Sequence, residues 1–247
     1  MMPVETLQAT LPELHPEARL VALAAPESAA AEQYRILYQR LVRLAARRPL
    51  RVVAVTSTGR REGRTTTAAN LALTAAREGR ATVLVEADLR RPCLGRLLGL
   101  APRAGVADVL AGRAELGQAI GSVGPLAVLL SGEGTDPAPA RTPGAALLVD
   151  QLRAAYELVV LDAPPALAFA DGDRLSGEAD AALLVVRAGA TPRQVVRLAL
   201  DALGDRAAGI VLNDVDPGSV AHGRWIWQEN DAAEVEAAPE EPAARDA

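Results

Sequence analysis

Short apolar runs, separated by stretches of helical spacing, recur along the middle of the chain. Residues 52–55, 82–85, 126–130, 158–161, 181–186 and 209–212 read as strands with little polar alternation inside them. Strands of that kind are buried on both faces, which calls for a mostly parallel sheet covered by helices on either side. Between them the pattern predicts a helix from the 59–66 loop to about Glu78, stopped by Gly79, and another over 143–155. A third follows the 181–186 strand, capped by Thr191, opened by Pro192 and closed by Gly204. Upstream, Tyr34, Leu37, Tyr38, Leu41 and Leu44 fall at helical spacing until Pro49 ends the run. The first 26 residues, broken by Pro3, Pro12, Pro16 and Pro26, predict an extended arm.

Four segments result: an arm (1–26), a helical N-terminal extension (27–49), an α/β domain (50–223) and a tail (224–247). Half of the 247 residues are hydrophobic, which is enough apolar mass for one sizeable core. Cys93 is the only cysteine, so no disulfide framework exists. No apolar run approaches the roughly 18 residues of a membrane span, and the start lacks the pattern of a secretion signal. A soluble, intracellular protein is expected. The net charge is −5, from 26 arginines, no lysine and 31 acids. Residues 229–247 hold seven acids and one arginine, which leaves the rest of the chain at +1. That tail reads as disordered, and a near-neutral body argues against a nucleic-acid partner.

Candidate chemistry sits at strand ends. Between the first central strand and the next helix runs Ser57-Thr58-Gly59-Arg60-Arg61-Glu62-Gly63-Arg64-Thr65-Thr66, the place for a phosphate-binding loop. Such a loop wraps an anion in backbone N–H groups, neutralises it with a lysine and binds Mg²⁺ through a hydroxyl. Gly63 and Thr65 are in place, but Arg64 stands where the lysine belongs. Its planar fork is wider than a compact ammonium. The next strand ends in Glu86 and Asp88, and the 158–161 strand ends in Asp162. Open α/β sheets bind ligands at such carboxyl ends, so Thr65, Asp88 and Asp162 are the candidate Mg²⁺ ligands.

Together these segments resemble the cytoplasmic domain of the bacterial tyrosine kinases that regulate capsule and exopolysaccharide synthesis. That family's loop reads Ser-x-x-Pro-Gly-Glu-Gly-Lys-Ser/Thr-Thr. The chain matches at Ser57, Glu62, Gly63, Thr65 and Thr66 and departs at Arg60, Arg61 and Arg64. The family's Asp-x-Asp-x-Arg-Arg-Pro appears with Glu86 in first place and Asp88, Arg90, Arg91 and Pro92 intact, and its Asp-x-Pro-Pro appears as Asp162, Pro164 and Pro165. The stretches 105–112 and 130–132 resemble further family segments.

The resemblance implies a P-loop NTPase-like fold that binds ATP or ADP through Gly59, Arg61, Glu62, Gly63, Arg64, Thr65 and Thr66, with Asn213 facing the base. It places Arg64, Glu86 and Asp88 at the reacting phosphoryl group. Because Arg64 and Glu86 depart from the family and no tyrosine lies in the tail, weakened Mg-nucleotide binding and weak or absent kinase activity are expected. The implied function is regulation of polysaccharide polymerisation and export. It would be exercised at the inner face of the plasma membrane through a membrane co-polymerase subunit supplied as a separate chain. An active tyrosine kinase of the same family and a partition-type P-loop ATPase are the alternatives. The family also builds a ring through a helix matched here at Glu32, Tyr34, Arg35, Leu37 and Leu41. That helix either contacts a second copy or packs on its own domain.

Overall fold

Valine, leucine and alanine fill the strands at the centre of the molecule: β1 (Val52–Ser57), β2 (Thr82–Glu86), β3 (Ile120–Val123), β4 (Leu126–Leu129), β5 (Leu158–Asp162), β6 (Ala181–Arg187) and β7 (Ala207–Asn213). The computed structural model describes residues 20–132, 142–169 and 174–215. Among these, the seven strands form one sheet in the order β3-β4-β2-β5-β1-β6-β7, parallel throughout except for the antiparallel β3–β4 pair. Successive residues of the central strands feed opposite cores. Val52, Ala54, Val83, Val85, Val159 and Leu161 pack on one face; Val53, Val55, Leu84, Leu158 and Val160 pack on the other. This two-sided burial is why the strands show no polar alternation.

Helices cover both faces. On one side lie α1 (Val21–Ala24), α2 (Ala29–Ala45) and α3 (Arg64–Arg77), whose buried residues Ala22, Tyr38, Leu41 and Leu71 share a core with Val53 and Leu84. The opposite core takes in α5 (Val106–Leu110), α7 (Gly144–Ala155) and α10 (Arg193–Leu203). Residues 67–76 of α3 are all buried, so the helix that follows the candidate loop is sunk into the domain and holds its first turn firmly. The short helices α4 (Leu94–Leu98), α6 (Leu116–Ala119), α8 (Ala166–Phe169) and α9 (Arg174–Gly177) complete the described elements, with a 3₁₀ turn at Gly204–Arg206.

Three expectations need correction. In its described part the arm is not extended: residues 21–24 form a helical turn with Leu20 and Ala22 buried, and the Ala22 amide donates to Asn70 Oδ1 at 3.0 Å. The prolines permit this because Pro26 follows the turn rather than interrupting it. Thr191 does not cap α10; the cap position is Pro192, and the Thr191 hydroxyl instead donates to Glu62 Oε1 at 2.6 Å. The strand expected at 126–130 is present, and it also pairs with β3, which the apolar pattern does not predict, across the turn at Gly124-Pro125, where Gly124 has φ +57°. A Gly-Pro pair between two apolar runs was the available signal. The remaining residues of the arm and the whole acidic tail lie outside the described residues.

Two segments matched to the family pattern meet in space. The Val106 and Ala107 amides donate to the Leu130 and Ser131 carbonyls at 2.8 and 2.9 Å. Gly105 is required there, since a methyl group on it would sit 2.1 Å from the Leu130 oxygen.

Candidate functional site

Parallel pairing brings the strand ends together. β5 lies between β2 and β1, and Asp162 is in register with Glu86 on one side and Val55 on the other. The chain leaving β1 therefore enters its loop directly beside the acidic ends of β2 and β5. The Thr56 hydroxyl donates to the Pro164 carbonyl at 2.6 Å, tying the two exits to each other.

The loop is braced from within. Glu62, 6 % exposed, accepts from the Thr58 amide at 2.8 Å, the Gly59 amide at 3.2 Å, the Thr58 hydroxyl and the Thr191 hydroxyl. Asn213, at the end of β7, donates from Nδ2 to the Glu62 carbonyl at 2.9 Å. Its amide packs against Gly63, where a Cβ would lie 2.0 Å from Nδ2. Gly63 is left-handed at φ +88° and begins α3 without a side-chain cap or an acidic first turn. An uncapped helix start of this kind presents N–H donors to an anion. Arg61 is also left-handed, at φ +60°, in the position where the family carries glycine.

Arg64, at the first position of α3, turns its fork onto the two acidic strand ends. Nη2 donates to Asp88 Oδ2 at 2.8 Å and Nε to Asp162 Oδ1 at 3.1 Å. All three side chains are largely withdrawn from water, at 13 % exposure for Arg64, 9 % for Asp88 and 1 % for Asp162. Burial raises Asp162, the Arg64 charge and the Thr65 hydroxyl oppose it, Glu86 nearby adds to it, and the carboxyl ends at about 6. Thr65 thus reaches Asp162 and also lies 3.3 Å from Cys93 Sγ, whose thiol is raised chiefly by burial.

Glu86 is placed differently from its expected role beside a phosphoryl group. It is 2 % exposed, and its Oε1 accepts from the Cys93 and Leu94 amides at 2.5 and 2.6 Å while Oε2 accepts from the Ser131 amide at 3.0 Å. The carboxylate fastens the chain after β2 to the chain after β4. Asn213, expected to face a base, spends its amide on the loop backbone. Glu62 likewise turns its carboxylate behind the loop. The loop residues Gly59, Arg61, Gly63, Arg64, Thr65 and Thr66, with Asp88, line a cleft of about 740 Å³. Six arginines (Arg60, Arg61, Arg64, Arg90, Arg91 and Arg96) line that cleft together with the acid Asp88, while the Glu62 carboxylate is engaged by the loop itself. In the sequence Arg90 and Arg91 stand only as part of a family motif, Thr58 and Ser131 lie in the loop and the 130–132 stretch without a role, and Arg96 carries no motif. Arg96 sits one helical turn beyond the Arg-Arg-Pro block, which was its only signal.

Whether nucleotide and Mg²⁺ suit these residues has two answers. The uncapped start of α3 and the arginine-rich cleft fit a polyphosphate. The oxygens of Thr65, Asp88 and Asp162 have the hard-donor chemistry of a Mg²⁺ site, but both carboxylates are already paired with Arg64. As built, the place of the divalent ion is taken by a guanidinium, so the metal does not fit this arrangement. On the helix that carries Glu32, Arg35 pairs with Glu32 at 2.6 Å and donates to the Pro26 carbonyl at 2.8 Å.

A phosphate-type loop between the first central strand and a buried helix, flanked by two acidic strand ends, defines the P-loop NTPase class of fold. No family model matches the chain. It is 32 % identical over 202 residues to the tyrosine-protein kinase YwqD of Bacillus subtilis, covering 78 % of this chain and 85 % of that one. By this measure the chain belongs to the bacterial tyrosine-kinase family. It is also 30 % identical over 206 residues to the succinoglycan biosynthesis transport protein ExoP of Rhizobium meliloti, covering 79 % of this chain but 26 % of ExoP. The crystal structure of the chimerical protein CapA2B2 superposes with a TM-score of 0.72 at 26 % identity, covering 82 % of this chain and 92 % of that one. Among the described residues no helix is long and apolar enough to cross a membrane.

Proposed function

We propose that this chain binds a nucleoside di- or triphosphate in the arginine-lined cleft and acts as a kinase-like regulator of polysaccharide polymerisation and export, with little or no phosphoryl transfer to tyrosine. The observation that carries this reading is the pairing of Arg64 with both Asp88 and Asp162. It leaves a strongly cationic cleft for phosphate while engaging the two carboxylates that transfer chemistry would draw on. The loop N–H groups and the start of α3 would hold the phosphates, and the surrounding arginines would screen their charge. The polysaccharide connection rests on the similarity to ExoP, a succinoglycan biosynthesis transport protein, and on family membership. On the same grounds the partner would be a membrane co-polymerase chain, with this protein recruited to the inner face of the plasma membrane.

The distribution of tyrosines supports the low-transfer half. Tyr34, Tyr38 and Tyr156 are the only three, so the last 91 residues of the sequence contain none to accept a phosphoryl group. Calorimetric titration with ADP, together with phosphopeptide mass spectrometry after incubation with MgATP, tests both halves. Measurable ADP binding with negligible phosphotyrosine is expected. Robust phosphotyrosine overturns the low-transfer reading, and no heat with either nucleotide overturns the binding reading.

A further inference from the structure

We propose that Arg64 serves as a built-in cation in the place of a divalent ion, so that the cleft takes a nucleoside diphosphate without Mg²⁺ and a divalent ion binds there only after Arg64 is removed. The proposal rests on the nucleotide reading above and adds to it the ionic form of the ligand. Three observations carry it. First, different nitrogens of one guanidinium reach different carboxylates, Nη2 to Asp88 at 2.8 Å and Nε to Asp162 at 3.1 Å. The planar fork fixes these two donors in one rigid geometry, which a compact ammonium on a flexible stem does not impose. Second, the trio is buried, with Arg64 13 % and Asp162 1 % exposed, so its charges are poorly screened by water. A divalent ion brought between the same carboxylates would meet the guanidinium charge at close range in a poorly screened site. Third, five further arginines line the cleft, so phosphate charge that a metal would otherwise offset already has partners.

The planar fork also explains why Arg64 does not simply swing to the phosphates. Leaving would strand two carboxylates beside each other, one of them among the most deeply buried acids of the domain. Two carboxylates left side by side in a poorly screened site repel each other, and that repulsion keeps the guanidinium between them. A lysine in the same place would carry its charge on a flexible stem, free to move toward a phosphate and leave the carboxylates for a metal.

The test uses Mn²⁺ alone, followed by electron paramagnetic resonance, and ADP followed by calorimetry in Mg²⁺ or in EDTA. The parent protein is expected to bind no Mn²⁺ at millimolar concentration, and its ADP affinity is expected to change by less than about threefold when Mg²⁺ is exchanged for EDTA. Arg64→Lys and Arg64→Ala, each checked for native circular dichroism, are expected to gain a Mn²⁺ site and a dependence of ADP affinity on Mg²⁺ of about tenfold or more. Lysine at this position keeps a charge in the trio, so that variant tests the idea even if the alanine variant does not fold. Bound Mn²⁺ in the parent, or a tenfold loss of ADP affinity in EDTA, overturns the proposal. If the parent binds ADP in neither medium, the nucleotide reading falls, and the Mn²⁺ titration alone still decides whether Arg64 excludes the metal.

Discussion

Replacing Asp162 by asparagine should make this protein more stable at neutral pH, although Asp162 sits at the centre of the site. The side chain is 1 % exposed, and burial outweighs the attraction of Arg64 and Thr65 so that its pKa rises from 3.8 to about 6. The folded state therefore holds the proton more tightly than the unfolded chain does. Stability contributed by this group is present in full below about pH 3.8 and is lost as pH rises through about 6. A shift of about two units corresponds to about 3 kcal/mol against the ionised form at pH 7. Asparagine keeps the shape and an acceptor oxygen toward Arg64 Nε but carries no charge. The backbone carbonyl at this position, which accepts from the Ala87 and Asp88 amides at 3.0 and 3.1 Å, is untouched. Urea unfolding followed by far-ultraviolet circular dichroism should show Asp162→Asn ahead of the parent by about 2–3 kcal/mol at pH 7.5. The gap should close as pH falls from 6 toward 4. A variant less stable than the parent at pH 7.5, or a gap that ignores pH, would refute the electrostatic account of the trio.

Three further outcomes follow from the same geometry. Glu86→Asp draws the carboxylate back by one methylene, so it no longer reaches the Cys93, Leu94 and Ser131 amides together; a loss of about 1–3 kcal/mol in urea unfolding is expected, with no gain in phosphate release. Glu62→Ala removes the acceptor for two loop amides and the Thr191 hydroxyl, which should cost about 3 kcal/mol and weaken ADP binding by calorimetry, whereas Glu62→Gln should recover part of both. Arg61→Gly relieves a left-handed arginine at φ +60° and should raise the unfolding free energy by up to about 1 kcal/mol, read as a higher urea midpoint at unchanged slope.

Much of the site's composition was legible because it follows from chain direction. Once 52–55, 82–85 and 158–161 are read as parallel strands, Thr65, Asp88 and Asp162 must lie at one edge of the sheet, and Arg64 bridges the two acids across 24 and 98 residues of sequence. The roles of single side chains were less legible. Glu86 differs from the family's aspartate by one methylene, and that methylene lets it reach the Ser131 amide 45 residues away. Asn213 and Thr191 look like ligand and cap residues locally, yet the bulk of the loop makes both of them its braces.

The alternation of strands and helices, strand-end acids and a glycine-punctuated loop thus determined the α/β class and the end of the sheet where chemistry belongs, because each depends only on spacing along one segment; the family followed from the resemblance of several motifs taken together. What the tertiary structure decided was the state of charge at that end. Whether Arg64 points to a ligand or to its own carboxylates depends on how far apart β1, β2 and β5 hold their ends and how much water they exclude, and neither quantity is carried by any one stretch of sequence.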